Sequence, residues 1–221
     1  MINILLEGYD ISSLWLLNSL KSYIKSFHRV TVIALAFRET RVENLDDWNY
    51  LYEKNTGIYY AGIAEAFSAY GIKESQIEFI NYFTDTPETA NAKIQNADIL
   101  YFLGGLPDRM MQRIYEMQIY DSIMHHKGIV MGYSAGALIQ LREYHLTPDK
   151  DYPVFGYYNG FPFIDDFYLE VHYEGTTEQD ESIKRVIHER NKPVYATHYM
   201  NGAIVVNDGK IKLIGEISRF D

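Results

Sequence analysis

The chain has 221 residues, 47% hydrophobic and 23% charged, a size and composition that suit one globular domain spanning residues 1–221. Its 30 acidic residues outweigh 20 basic ones for a net charge of -10, which opposes nucleic-acid and anionic-membrane partners. There is no cysteine, so disulfides, thiolate metal sites and cysteine-nucleophile chemistry are all excluded.

The opening MINILLEGYD has no basic leader and reads as a first strand over residues 2–6 that runs into Glu7, not as a signal peptide. No apolar stretch reaches membrane-spanning length, and a cytoplasmic protein is expected. A helix over residues 12–24 follows, capped by Ser12 or Ser13. Residues 30–37, VTVIALAF, are apolar on both faces, as a buried parallel strand requires. Residues 46–70 are helical in composition, with a break at Asn55-Thr56-Gly57. Strands are expected at 76–83, 98–103 and 128–133. Between the last two, a helix opens near Pro107 and buries Met110, Ile114 and Met117 along one face.

A further helix begins at Ser134. In residues 167–173 alternation puts Phe167, Leu169, Val171 and Tyr173 on one face and Tyr168, Glu170 and His172 on the other. A helix over 178–189 and strands at 194–198, 203–206 and 210–214 complete the chain. Asn207-Asp208-Gly209 joins the last two as a hairpin. Alternating strands and helices predict an α/β fold with a mostly parallel sheet covered on both faces.

The strongest chemical signal is Gly132-Tyr133-Ser134-Ala135-Gly136, between a buried strand and a helix. That is the setting of a G-x-S-x-G nucleophile elbow, where a sharp turn lifts the serine hydroxyl above the sheet edge. Helix initiation there leaves backbone N–H groups free, so Ala135 is placed to hold an oxyanion. Gly104-Gly105 ends the preceding strand on the same rim, which makes the Gly105 N–H a second candidate donor. As plain turn residues these glycines would carry little weight; beside the elbow they form part of a site.

A serine nucleophile needs a base, and seven histidines compete. His125-His126 closes a helix, His188 sits in a charged helical stretch, and His28 and His145 lie in polar connections. His172 and His198 each fall near a strand end, and spacing alone does not separate them. No histidine spacing suits a metal centre, so no metal is expected; no organic cofactor is expected either.

The succession YFLGG, GYSAGA and VHY resembles the aspartyl dipeptidase (peptidase E) and cyanophycinase family of serine peptidases, over most of the chain. The resemblance implies a three-layer α/β sandwich like that of class I glutamine amidotransferases. It also implies Ser134 as nucleophile and His172, ahead of His198, as general base. Two departures stand out. Members usually read Gly-Gly-Asn-Thr where this chain has Gly105-Leu106-Pro107-Asp108 after Gly104, and they carry an acid before the late strand where this chain has Met200-Asn201-Gly202.

The function expected is a serine peptidase that cleaves short peptides through a Ser134 acyl-enzyme, with aspartyl peptides the substrate class that the resemblance implies. Asn201 is expected to orient His172 as an amide acceptor, with Glu170, Asp149 and Asp151 as alternatives. Arg38 and Arg41 follow the second strand and are candidates for gripping a substrate carboxylate. The partner implied is a small peptide, with no nucleic acid or membrane, and a homodimer is compatible with the reading. A catalytically inactive ligand-binding homologue and a non-peptidase esterase are the competing functions.

Overall fold

The register of the first strand already defines the two faces of the molecule. In β1 (Ile2–Leu6), Ile4 and Leu6 point into one core, while Leu5 between them points into the other. A computed structural model describes residues 1–221, apart from the side chain of Met200. In chain order the elements are β1, α1 (Leu14–Leu20), β2 (Val30–Ile33), α2 (Leu45–Tyr52), α3 (Tyr60–Ser68), β3 (Ile77–Ile80), α4 (Pro87–Gln95) and β4 (Ile99–Phe102). They continue with α5 (Pro107–Glu116), α6 (Tyr120–Met124), β5 (Ile129–Tyr133), α7 (Ala135–Leu138), β6 (Glu143–Leu146) and β7 (Gly156–Asn159). The chain ends in β8 (Tyr168–Tyr173), α8 (Thr177–Arg190), β9 (Val194–Asn207) and β10 (Lys210–Phe220).

Strands β1, β5, β4, β2 and β3 lie side by side in that order, all parallel, and β9 and β10 extend the sheet antiparallel beyond β1. Strand β8 pairs in parallel with the start of β9, while the end of β9 pairs with β1. Helices α1, α2 and α3 cover one face through Leu16, Leu20, Trp48, Leu51 and Phe67. Helices α4 to α7 cover the other through Ala90, Ile94, Met110, Ile114, Ile123 and Ala137. Apolar β-branched strands buried on both faces are what a parallel sheet between two helical layers requires. The expected α/β three-layer architecture is the one found. Among the described residues, no helix is long and apolar enough to cross a membrane.

Several boundaries differ from expectation. The strand predicted over 30–37 stops at Ile33, and Ala34–Phe37 stay buried as the chain leaves the ladder to build the rim. The strands predicted at 194–198 and 203–206 are one continuous strand, so Asn201-Gly202 is not a turn. Helix α4 has no strong apolar stripe in PETANAKIQ, but Thr86 and Thr89 cap it reciprocally and Pro87 starts it. The small β6–β7 hairpin forms in what read as a polar loop. Asp208 and Gly209, with φ of 49° and 73°, make the expected turn between β9 and β10.

Candidate active site

The parallel strands β1, β5, β4 and β2 all end at one rim. Glu7, Ser134, Gly104-Gly105 and Arg38 therefore come from four separate stretches of sequence to one edge of the sheet. Ser134 follows β5 directly. Its φ of 51° and ψ of −116° are strained for a non-glycine residue, as the sharp turn from strand to helix demands. The backbone packs so closely there that a Cβ on Gly136 would lie 2.3 Å from the Phe102 carbonyl oxygen. That contact explains why the elbow needs a glycine two residues after the serine. Helix α7 is a single turn, so its dipole adds little, but the Ala135 N–H makes no hydrogen bond among the described residues.

The Gly105 N–H is likewise without a partner among the described residues. Gly105 has φ of 141°, and a Cβ would sit 2.2 Å from the Ala36 carbonyl oxygen. Only glycine fits this position. Gly105, Ser134 and Ala135 line one cleft of about 800 Å³ with His172.

The Nε2 of His172 lies 2.8 Å from the Ser134 hydroxyl oxygen. Its position depends on a break in β8: the register with β9 shifts between Glu170 and Tyr173, and His172 takes φ of 55°. The strict alternation expected for residues 167–173 therefore fails at its end, where a bulge re-aims the imidazole. The Gln179 side-chain amide holds this irregular backbone by donating to the His172 carbonyl at 2.8 Å, while its own oxygen helps cap α8 with Thr176. His198 is directed elsewhere and meets the Ser218 hydroxyl at 2.8 Å.

The partner of His172 Nδ1 is Glu7. One carboxylate oxygen takes the ring N–H, and the other accepts the His172 backbone N–H at 3.0 Å and the Thr197 hydroxyl. Glu7 is 1% exposed. This corrects the expectation for Asn201, whose side chain makes no hydrogen bond among the described residues and finds Nδ1 already occupied. Glu7 N–H donates to the Gly202 carbonyl at 2.9 Å, so the carboxylate stands beside the segment where an acid is missing, supplied by the neighbouring strand. Glu7 is not among the residues expected from the sequence; its only local signal is a charge directly after a strand that is apolar except for Asn3.

The other expected orienters are engaged elsewhere. Glu170 accepts from His145 Nε2 at 2.7 Å and from Thr147 at 2.8 Å, and His145 is buried, not part of a polar connection. Asp149 closes a turn by accepting the N–H groups of Asp151 and Tyr152, and Asp151 pairs with Arg38. Arg38 and Arg41 do not line the Ser134 cleft. They line a second cavity that meets it at Gly105. Burial acts to lower the His172 pKa, but the Glu7 hydrogen bond and charge, aided by Glu170 and Glu174, outweigh it and hold the imidazole above its ordinary value.

The sequence of the chain matches the model of peptidase family S51 over residues 53–214, which include Ser134 and His172 but not Glu7. In structure the chain is similar to a protein assigned as peptidase E from Listeria monocytogenes EGD-e, with a TM-score of 0.67 and 17% identity over 97% of this chain and 98% of that one. It is also similar to a peptidase from an acI-B1 Actinobacterium, with a TM-score of 0.59 and 14% identity over 99% of this chain and 93% of that one. At such identities the structural likeness speaks for the fold. No curated protein matches the chain. The family match spans well over half the sequence, and the chain accordingly belongs to peptidase family S51 as a serine-type peptidase.

Proposed function

We propose that the protein hydrolyses short peptides through an acyl-enzyme on Ser134, with His172 as general base and Glu7 as the residue that positions it. The observation that carries this reading is the unbroken chain of hydrogen bonds from the Ser134 hydroxyl through His172 to Glu7. Ser134 Oγ attacks the peptide carbonyl while its proton passes to His172 Nε2. The oxyanion that forms is met by the free N–H groups of Gly105 and Ala135. As the C–N bond breaks, the imidazolium returns the proton to the leaving amine. Water then repeats the sequence on the ester, releasing the acid and restoring the serine.

The cleft supports a finer reading of the substrate. Glu174 and Glu178 line it without hydrogen-bond partners for their carboxylates among the described residues, and Lys150 is its only lysine or arginine. Such a field favours a peptide that brings positive charge, through a free amino end or a basic side chain. The aspartyl preference implied by the resemblance finds no arginine in this cleft to support it. An inactive binding homologue drew its support from the absent acid, and the Glu7 carboxylate directly after β1 weighs against it.

A fluorophosphonate probe tests the mechanism. Wild-type protein becomes labelled at Ser134, and Ser134→Ala takes up no label. Equal labelling of both proteins would end the assignment.

A further inference from the structure

The second cavity lies on the opposite helical face from the Ser134 cleft, under α2 and α3, with a volume of about 480 Å³. That is room for a small organic ligand. Its walls are aromatic: Phe37, Tyr52, Tyr59, Tyr101 and Tyr133 contribute rings, with Leu51, Ile63 and Leu103 between them. Two features set it apart from an ordinary packing defect, which would be small, dry and apolar.

The first lies in its depth. Tyr52 and Tyr101 are 8% and 2% exposed, yet neither hydroxyl has a hydrogen-bond partner among the described residues. The comparably buried Tyr70, outside the cavity, donates to the Ile11 carbonyl at 2.6 Å. The unpaired hydroxyls of Tyr60 and Tyr144 are sealed in the interior, whereas those of Tyr52 and Tyr101 keep accessible surface in residues that line the cavity, and they are free to hydrogen-bond a ligand's polar group. Burial raises the pKa of both phenols, which keeps them as neutral donors.

The second lies at the mouth. Eight of the nine arginines pair with a carboxylate; Arg41 does not among the described residues. Its guanidinium bonds the Tyr59 hydroxyl and sits 5.3 Å from that ring's centroid. A cation left uncompensated in a protein of net charge -10 is placed for an anion. Arg38 beside it is neutralised by Asp151.

We infer that this cavity is a binding site, separate from the Ser134 cleft, for a small aromatic carboxylate whose far end carries a hydroxyl or similar polar group. The carboxylate meets Arg41, the ring lies among the tyrosines, and the distal group reaches Tyr52 and Tyr101. The site adjoins the oxyanion region through the Gly104-Gly105 segment, which lines its wall.

Isothermal titration calorimetry of the full chain with 3-(4-hydroxyphenyl)propionate tests this, with tyramine as the amine counterpart. The wild type binds the acid at millimolar concentration or below and tyramine at least about tenfold more weakly, a difference of about 1.4 kcal/mol. Arg41→Ala weakens binding of the acid about tenfold. Gly62→Phe serves as a blocking variant. Gly62 lines the cavity on the exposed side of α3 with no atom within 4 Å of its Cβ position, so the new ring fills the mouth without disturbing the core. This variant keeps the wild-type melting temperature and loses binding. No binding to the wild type, equal binding of tyramine, or binding indifferent to both substitutions would overturn the inference.

Discussion

Glu7 and His172 stand 165 positions apart in sequence, yet one carboxylate takes both the ring N–H and the backbone N–H of that one histidine. These two hydrogen bonds fix the imidazole in rotation and tautomer together, because Nδ1 must carry the proton and Nε2 is left to face Ser134. A glutamine at position 7 keeps the shape but not the arrangement. Its single oxygen can satisfy the backbone N–H and Thr197, which turns the amide NH2 toward Nδ1 and forces the wrong tautomer. Glu7→Gln is expected to lower kcat about 10²- to 10⁴-fold with little change in KM. Asn201→Asp and His198→Ala are expected to stay within a few-fold of wild type in the same peptide assay. A large loss in His198→Ala with a small one in Glu7→Gln would reverse the roles.

The same contact sets the pH dependence. His172 must be neutral to accept the serine proton, and its pKa is raised above 6.5 because Glu7 outweighs the opposing effect of burial. The acid limb of kcat/KM is therefore expected above pH 6.5, and in Glu7→Gln, with the raising interaction gone, it moves to lower pH. For stability the sign follows from a folded-state pKa higher than the unfolded one. The contribution is fully present below the unfolded value and is lost as pH rises through the folded value. Thermal unfolding of wild type against Glu7→Gln should show the larger gap below pH 6.5, narrowing above the raised pKa. A gap that widens with rising pH would contradict the assignment.

How far the sequence discloses this arrangement depends on whether each feature is local. The strands of the parallel core and the serine elbow are legible because each is written in a few adjacent residues, VTVI, ILYF and GYSAG among them. Strand ends are less so: ALAF after β2 is as apolar as the strand itself, since the rim segment is buried for tertiary reasons. The bulge that re-aims His172 leaves no mark on the alternation of FYLEVHY. Glu7 was hidden for a different reason. Its role depends on β1 lying between β5 and β9, a neighbour relation that no spacing within INILLEG encodes. Arg38 and Arg41 follow β2 at the rim, but they line the cavity under α2 and α3 and not the Ser134 cleft, which Arg38 meets only through its ion pair with Asp151.

Gly105 tests the oxyanion region and the backbone together. Alanine there would carry a strained φ of 141° and a Cβ 2.2 Å from the Ala36 oxygen. Positive-φ strain alone costs about 1–3 kcal/mol, and in a chain of this size each kcal/mol lowers Tm by about 2–4 °C. Gly105→Ala is expected to melt several degrees lower and to lose kcat as its N–H shifts. Gly62→Ala supplies the contrast, since helical Gly62 has open space at its Cβ and should gain about 0.5–1 kcal/mol. Equal melting temperatures for Gly105→Ala and wild type would mean that the Ala36 contact does not constrain the rim.

The charge of the cleft bears on substrate choice. Glu174 and Glu178 are exposed, so each ion pair with a substrate is screened and worth about 0.2–1 kcal/mol. Their joint replacement by glutamine is expected to raise KM a few-fold for peptides with a free amino end or a lysyl side chain. The same peptides with acetylated amines should respond little. Added salt should shrink the wild-type advantage, because exposed charges more than about 8 Å apart are largely screened at 0.15 M ionic strength. A structural effect of the substitutions would instead raise KM for all peptides alike and would not depend on salt. Faster wild-type cleavage of aspartyl than of lysyl peptides would show that the cleft's carboxylates do not select the substrate.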